Sequence, residues 1–232
     1  MRGLEYRRAL RAQWLWALAL FCIFVALAWA VSAGLTEGFD ESIHALLSSS
    51  SGFLATRRMQ EFGRDVTALG GTLVLTFVTL AATGYLLLAR RPGAASLVAV
   101  SVVGGELLQQ ALKSYLARPR PVALAPAPYA DLDSWSFPSG HAMSSTIVYL
   151  IVARLIMRAQ PQSPAKIYIL AVTITLIAGI GLSRIYLGVH WPSDVIGGWT
   201  IGAAWALLCS GLADVIEAYF RRSKPSTMGF GK

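Results

Sequence analysis

A histidine and an aspartate four residues apart, His190 and Asp194, are the side chains in this sequence best suited to chemistry. In a helix the two would share a face; in a turn, Ser193 would cap the next helix and the pair would still meet. A carboxylate on one imidazole nitrogen fixes the tautomer and raises the nucleophilicity of the other nitrogen. The spacing therefore predicts a nucleophilic histidine, with a purely structural His–Asp pair as the alternative.

Three basic residues in two short stretches are suited to hold a phosphoryl group. They are Lys113, Arg120 and Arg184. A phosphate monoester carries nearly two negative charges at neutral pH, which suit the paired donors of arginine and the compact charge of lysine. The alternative is that these side chains snorkel to a membrane interface. Arg118 is either a fourth phosphate donor or a partner of Asp131 or Asp133.

The stretch 137–141, which reads FPSGH, predicts a helix start. Pro138 keeps the preceding residue extended, Ser139 is a natural N-cap, and Gly140 allows a ligand to approach the backbone. A helix start presents free N–H groups and the positive end of the dipole, so it binds anions. His141 would then lie beside the anion. A capped membrane helix with an interfacial histidine is the alternative.

The composition predicts one all-α integral membrane domain over residues 1–232. Hydrophobic residues make up 55% of the chain and charged residues 14%, whereas soluble domains are nearer half and a quarter. Both cysteines, Cys22 and Cys209, lie in apolar runs and are expected to be small core residues. We attribute the net charge of +8 to membrane orientation, so we expect no nucleic-acid partner.

Six apolar runs are long enough to cross a bilayer. They cover about 13–33, 66–89, 93–112, 139–157, 167–186 and 194–216. The first is either a retained span, which we prefer, or a cleavable signal peptide. Residues 35–64 predict a surface helix or a solvated loop, with His44 at the surface.

The basic residues predict the orientation. Thirteen of the 20 lie in the terminal and connecting segments of one side, which places both termini in the cytoplasm. The stretches 113–121, 138–141 and 183–194 then share the outer side, where topology does not require positive charge. We therefore predict that they form one site at the outer membrane face.

Small and polar residues inside the spans predict how the site is supported. Gly179 with Ser183, and Gly198 with Gly202, have the spacing of closely packed membrane helices. Two polar residues of the third span, on the face that leads to Lys113, are candidate partners of the site. They are Glu106 and Gln110, for which an ordinary polar contact between helices is the alternative.

Together, the three stretches resemble the signature of the type 2 phosphatidic acid phosphatase superfamily. Lys113 is followed after six residues by Arg120-Pro121, then come PSGH at 138–141 and the SR…H…D pattern of 183–194, with no departure at a signature position. The superfamily includes bacterial membrane lipid phosphatases and soluble vanadium haloperoxidases. The apolar spans argue against the second group.

The resemblance implies a role for each signature residue. His190 would attack phosphorus and form a phosphohistidine, Asp194 would orient His190, and His141 would protonate the leaving oxygen and then help to activate water. The remaining residues would hold the phosphoryl oxygens. They are Lys113, Arg120, Ser139, Gly140 and Arg184. No Asp/Glu cluster has the pattern of a magnesium site, so we expect neither a metal nor a cofactor.

The sequence therefore predicts a metal-independent lipid phosphatase at the outer face of a bacterial-type inner membrane. Its partners would be the bilayer and a lipid phosphate or diphosphate, such as undecaprenyl diphosphate, phosphatidylglycerophosphate or phosphatidate. A phosphotransferase that uses the same intermediate is one alternative. A lipid-phosphate carrier without catalysis is the other.

Overall fold

The computed structural model describes residues 2–47, 56–121 and 135–223. In these three stretches the chain forms eight α-helices and no β-strand, which confirms the predicted all-α class. The helices are α1 (Arg2–Ser32), α2 (Glu37–Leu47), α3 (Arg57–Ala68), α4 (Thr72–Leu88), α5 (Pro92–Leu116), α6 (Gly140–Ala159), α7 (Ser163–Tyr186) and α8 (Pro192–Ser223).

Six helical segments of the described chain are long and apolar enough to cross a membrane, as predicted. In hydrocarbon every backbone polar group needs an internal partner, so apolar runs of this length fold as helices. The segments are Glu5–Ser32, Arg57–Leu88, Pro92–Leu116, Gly140–Ala159, Ser163–Tyr186 and Pro192–Phe220.

The second span is longer than predicted and is interrupted. It begins at Arg57, and residues 69–71 separate α3 from α4. A β-carbon at Gly70 would lie 2.4 Å from Ile180 Cγ2, so α7 requires a glycine at this break. The carbonyl of Leu69 accepts a hydrogen bond from Tyr149 Oη at 2.7 Å, which ties the break to α6.

Helix α8 lies at the centre and packs against α1, α5 and α6. The predicted close packing of Gly198 and Gly202 is confirmed, because β-carbons there would lie 2.7 Å from the Ser139 carbonyl oxygen and 2.8 Å from that of Met143. On α7 the tight position is Gly181, where a β-carbon would lie 2.3 Å from Trp199. Gly179 makes only ordinary contact.

Apolar side chains form both the core and the outer surface. Phe24 of α1 stacks on Phe137 with ring centroids 5.7 Å apart, above a cluster that continues down α6. Trp16 and Leu73 are among the many large apolar side chains that face outward, as lipid-contacting residues do. The cysteines are unpaired; Cys209 is buried as expected, but Cys22 is exposed.

The ends of α6 and α8 that lie away from FPSGH are joined by ion pairs. Arg154 donates to Asp214 at 2.7 Å, and Arg158 contacts the same carboxylate. The hydroxyl of Tyr6 donates to the Asp214 carbonyl at 3.0 Å and so ties α1 to this end.

Helix α2 confirms the predicted helix in residues 35–64, but two of its polar side chains point inward. Asp40 and His44, one turn apart, are 1% and 2% exposed, while Phe39 and Leu46 face outward. The prediction that His44 is a surface residue is therefore wrong.

The glycine contact of α8 with α6 makes a stability prediction. We expect Gly202→Ala to lower the free energy of unfolding by about 1–3 kcal/mol, because the new methyl group must displace the Met143 carbonyl. Gly84→Ala is the matched control, since its β-carbon meets nothing within 4 Å. Thermal unfolding in detergent measures both. Equal melting temperatures for the two variants would contradict the packing.

Candidate active site

Four helix ends meet in one place: the C-termini of α5 and α7 and the N-termini of α6 and α8. The Ser139 N–H donates to the Asp194 carbonyl at 2.9 Å, which joins the starts of α6 and α8. The Ser136 N–H donates to the Arg118 carbonyl at 2.8 Å, and the Ser136 hydroxyl donates to the Pro119 carbonyl at 3.0 Å. The structure therefore brings together all three stretches that the sequence singled out.

His190 and Asp194 form a buried pair. Helix α7 ends at Tyr186, a turn at Gly188 with φ +71° follows, and Pro192 opens α8. His190 Nδ1 lies 3.3 Å from Asp194 Oδ2, and the same oxygen accepts the Trp191 N–H at 2.9 Å. This reach of a first-turn side chain back to the residue before the helix resembles a capping box. It holds the carboxylate against the imidazole.

Arg120 defines the tautomer of His190. One guanidinium nitrogen, Nη1, lies 3.1 Å from His190 Nε2 and donates to the Val189 carbonyl at 3.0 Å. Arginine has only donors, so Nε2 must be the acceptor and Nδ1 must carry the proton that faces Asp194. The lone pair of a neutral imidazole therefore lies on Nε2, on the side of the basic residues.

The pKa of His190 is well below the usual histidine value. Burial is the main cause, and the positive charges of Arg184, Arg120 and Lys113 lower the pKa further. The imidazole is consequently neutral at neutral pH, which is the form that can act as a nucleophile.

Arg184 and Lys113 reach the site from the last turns of α7 and α5. Both are half-buried. Thr67 Oγ1 accepts from Arg184 Nη1 at 3.1 Å, so α3 orients this guanidinium. The Nε of Arg184 is buried and has no hydrogen-bond partner in the described part of the chain.

The start of α6 presents polar groups to the same place. Ser139 takes the N-cap position as predicted, but its side chain makes no capping hydrogen bond, and its buried hydroxyl has no partner among residues 2–47, 56–121 and 135–223. An anion at this helix start would supply an acceptor. Gly140 opens the helix, and His141 interacts electrostatically with Arg184 and His190.

Arg118 forms ion pairs with two buried carboxylates. It donates to Asp194 Oδ1, Asp40 Oδ2 and Ser193 Oγ, each at 2.7 Å. It is therefore not placed as a fourth phosphate donor, and the suggested partners at 131 and 133 lie outside the described residues. Asp40 was not predicted from the sequence to be part of the site. The helical spacing of Asp40 and His44 was a signal for a buried polar face on α2.

The prediction that Glu106 and Gln110 of α5 are partners of the site is wrong. Both are exposed and contact each other at 3.2 Å. The buried neighbour is Gln109, whose Oε1 accepts from Ser144 Oγ at 3.0 Å and whose Nε2 would lie 2.9 Å from a β-carbon at Gly140. One residue along a helix turns a side chain by about 100°, which moves Gln110 off this face.

Several known proteins are similar to this chain. A family model for the PAP2 superfamily matches residues 94–215. Phosphatidylglycerophosphatase B of Bacillus subtilis is 29% identical over 87% of this chain and 97% of its own length. A decaprenylphosphoryl-5-phosphoribose phosphatase of Mycobacterium tuberculosis is 30% identical over 70% of this chain and 81% of its own.

A solved structure is also similar. The crystal structure of a transmembrane PAP2-type phosphatidylglycerolphosphate phosphatase from Bacillus subtilis aligns with a TM-score of 0.74 and 25% identity. The alignment covers 90% of this chain and 98% of that one.

Proposed function

The chain belongs to the PAP2 superfamily, and we propose that it is a membrane lipid phosphatase that works through a phosphohistidine on His190. One observation carries the proposal: the neutral His190 has Asp194 on Nδ1 and Arg120 on Nε2, and two further cations act on the same ring. A nucleophile faces a cluster of positive charge that would bind a phosphoryl dianion.

In the first step, the lone pair of His190 Nε2 attacks phosphorus and a P–N bond forms. The bond from phosphorus to the lipid oxygen breaks, the electron pair leaves with that oxygen, and His141 supplies its proton. Arg120 contacts Nε2, so its guanidinium must turn toward the phosphoryl oxygens as phosphorus approaches. Asp194 stabilises the charge that develops on the imidazole.

In the second step, water attacks the phosphorus of the phosphohistidine. His141 accepts a proton from the water, the P–N bond breaks, and its electron pair returns to Nε2. Inorganic phosphate leaves and His190 is neutral again. Lys113, Arg184 and the Ser139–Gly140 helix start hold the phosphoryl oxygens through both steps, so the protein itself supplies the positive charge that phosphoryl transfer requires.

The substrate class follows from where the site lies. The site sits at one end of a bundle whose outer face is apolar, so a lipid tail can stay in the bilayer while its head group reaches His190. The names of the relatives point to phosphatidylglycerophosphate and polyprenyl phosphates. We therefore propose phosphatidylglycerophosphate first, with undecaprenyl diphosphate and phosphatidate in the same class.

The orientation is part of the proposal. The excess of basic residues in the terminal and even-numbered connecting segments supports cytoplasmic termini. The active site would then face the exterior or periplasmic side of a bacterial inner membrane.

Replacing the nucleophile tests the mechanism. We expect His190→Ala to lower phosphate release from phosphatidylglycerophosphate by at least about 1,000-fold, because the variant lacks the Nε2 that attacks phosphorus in the proposed mechanism. Purified enzyme in detergent is assayed for free phosphate and for new phospholipids, and melting temperature controls for folding. Wild-type turnover in the variant would refute the mechanism. A new phospholipid in place of phosphate would indicate a transferase, and binding without turnover by the wild type would indicate a carrier.

The acid role of His141 makes a prediction about leaving groups. We expect His141→Ala to slow the hydrolysis of a lipid phosphate by about 100-fold or more. The loss should be much smaller for 4-nitrophenyl phosphate, because nitrophenolate leaves without a proton. Equal losses for both substrates would contradict proton donation by His141.

Single cysteines test the orientation. In a chain with Cys22 and Cys209 replaced by Ala, we expect a membrane-impermeant maleimide to label Glu41→Cys from outside intact cells. Gln162→Cys should react only after permeabilisation. Both positions are exposed in the structure. The reverse pattern would overturn the proposed orientation.

A further inference from the structure

We propose that Asp40 and Arg118 are positioning residues for His190, which act on it through Asp194 and the first turn of α8. This inference rests on the proposed function, because it assigns a role in aligning the nucleophile of that site. Neither residue is a signature position: Asp40 is on α2, and Arg118 lies within the stretch 113–121 but between its signature residues Lys113 and Arg120.

Arg118 controls the orientation of the Asp194 carboxylate. One carboxylate oxygen, Oδ2, faces His190 Nδ1 at 3.3 Å and accepts the Trp191 N–H. The other, Oδ1, accepts from Arg118 Nη1 at 2.7 Å. With both oxygens held, the carboxylate cannot rotate away from the imidazole. A charge-assisted bond of this length is among the stronger side-chain interactions.

Asp40 holds the turn that carries Asp194. The first N–H groups of a helix need acceptors from outside the helix. At the start of α8, Pro192 has no N–H, and Trp191, the residue before the helix, has no side-chain oxygen that could act as a cap. Asp40 supplies the cap from another helix: its Oδ1 accepts the Ser193 N–H at 2.8 Å, and its Oδ2 accepts the Ser193 hydroxyl at 2.6 Å. Its negative charge also suits the positive end of the helix dipole.

The two roles are joined in one buried network. Asp40 Oδ2 also accepts from Arg118 Nη2 at 2.7 Å, so a single guanidinium bridges two carboxylates. The Asp40 and Asp194 side chains are 1% and 0% exposed, and Arg118 is 12% exposed. Without Arg118, two carboxylates would be buried beside each other, and one would take up a proton. A protonated Asp194 could no longer stabilise the imidazolium character of His190.

Other contacts around Trp191 support the same placement. The Trp191 ring packs edge-on against His44 of α2, with centroids 5.6 Å apart, and the Arg118 guanidinium lies 5.7 Å from its centroid. Trp191 directly follows His190. Helix α2 therefore holds the loop that carries His190 in two ways, through the contact of His44 with Trp191 and through the hydrogen bonds of Asp40 with Ser193.

The experiment compares Asp40→Asn and Arg118→Lys with Glu41→Gln. Asparagine keeps the acceptor for Ser193 but loses the charge, and lysine keeps the charge but lacks the two separate nitrogens with which Arg118 contacts Asp194 and Asp40. Glu41 is the next residue on α2 and is exposed, which makes it the matched control. Purified enzymes are assayed with dioctanoyl phosphatidate, with vanadate as a transition-state mimic and inorganic phosphate as a ground-state ligand.

We expect kcat to fall about 10- to 100-fold in the Asp40 and Arg118 variants, as for outer partners of other sites, with KM within about twofold of wild type. The inhibition constant of vanadate should rise with the loss in kcat, because vanadate needs an aligned Nε2. The inhibition constant of phosphate should equal that of the wild-type enzyme. A kcat and a vanadate inhibition constant equal to those of wild type would overturn the proposal. Equal weakening of vanadate binding and phosphate binding would also overturn it, because that result indicates a merely structural role.

The double variant tests whether Asp40 acts through Arg118. If it does, Asp40→Asn adds little to the loss already caused by Arg118→Lys. Fully additive losses would overturn the coupling. Wild type and His190→Ala are measured in parallel: no difference between them refutes the proposed function, whereas a difference with unaffected Asp40 variants refutes only the positioning role.

If the Asp40→Asn variant does not fold, Ser193→Ala provides the test in its place. This change removes the hydroxyl that links Asp40 and Arg118 but leaves every charge in place. We expect a loss in kcat of several-fold with unchanged KM and weaker inhibition by vanadate. Wild-type values for all three would overturn the proposal.

Discussion

The repulsion between like charges at one end of an apolar bundle is the constraint on which this structure depends. Lys113, Arg120 and Arg184 act on the same buried imidazole, at the end of the bundle where the starts of α6 and α8 meet. Such an arrangement is costly unless negative charge compensates it. In the proposed mechanism, the phosphoryl dianion of the substrate would bring negative charge to these cations, so their repulsion would contribute to substrate binding and to stabilisation of the transition state.

Two buried carboxylates of the described chain lie on the Nδ1 side of the imidazole. Arg118 forms ion pairs with both Asp40 and Asp194, and Asp194 faces His190 Nδ1. The site therefore has two layers. The inner layer is an ion network that fixes the imidazole, and the outer layer is a cluster of basic groups and the start of α6. The imidazole lies between them, with Nδ1 toward one and Nε2 toward the other.

The outer layer was predictable from the sequence, whereas most of the inner layer was not. Apolar runs of membrane-spanning length predict helices, and short connections such as the one from Arg184 to Asp194 keep neighbouring helix ends on one face. The inner network joins Asp40 to residues 78 and 153 positions away, through contacts that no local pattern encodes. The same limit explains Gln109: periodicity predicted a polar face on α5, but only the position of α6 decides which residue of that face is buried.

The two layers also explain why glycines lie where α6 and α8 cross. The Ser139 N–H reaches the Asp194 carbonyl only because the two helix starts approach at backbone distance, and a β-carbon at Gly198 would meet the Ser139 carbonyl oxygen at 2.7 Å. A larger residue would separate the anion-binding start of α6 from the turn that carries Asp194. Close packing of α6 and α8 thus places the start of α6 beside the turn that carries His190, and in the proposed mechanism small residues within the membrane would contribute in this way to chemistry at its surface.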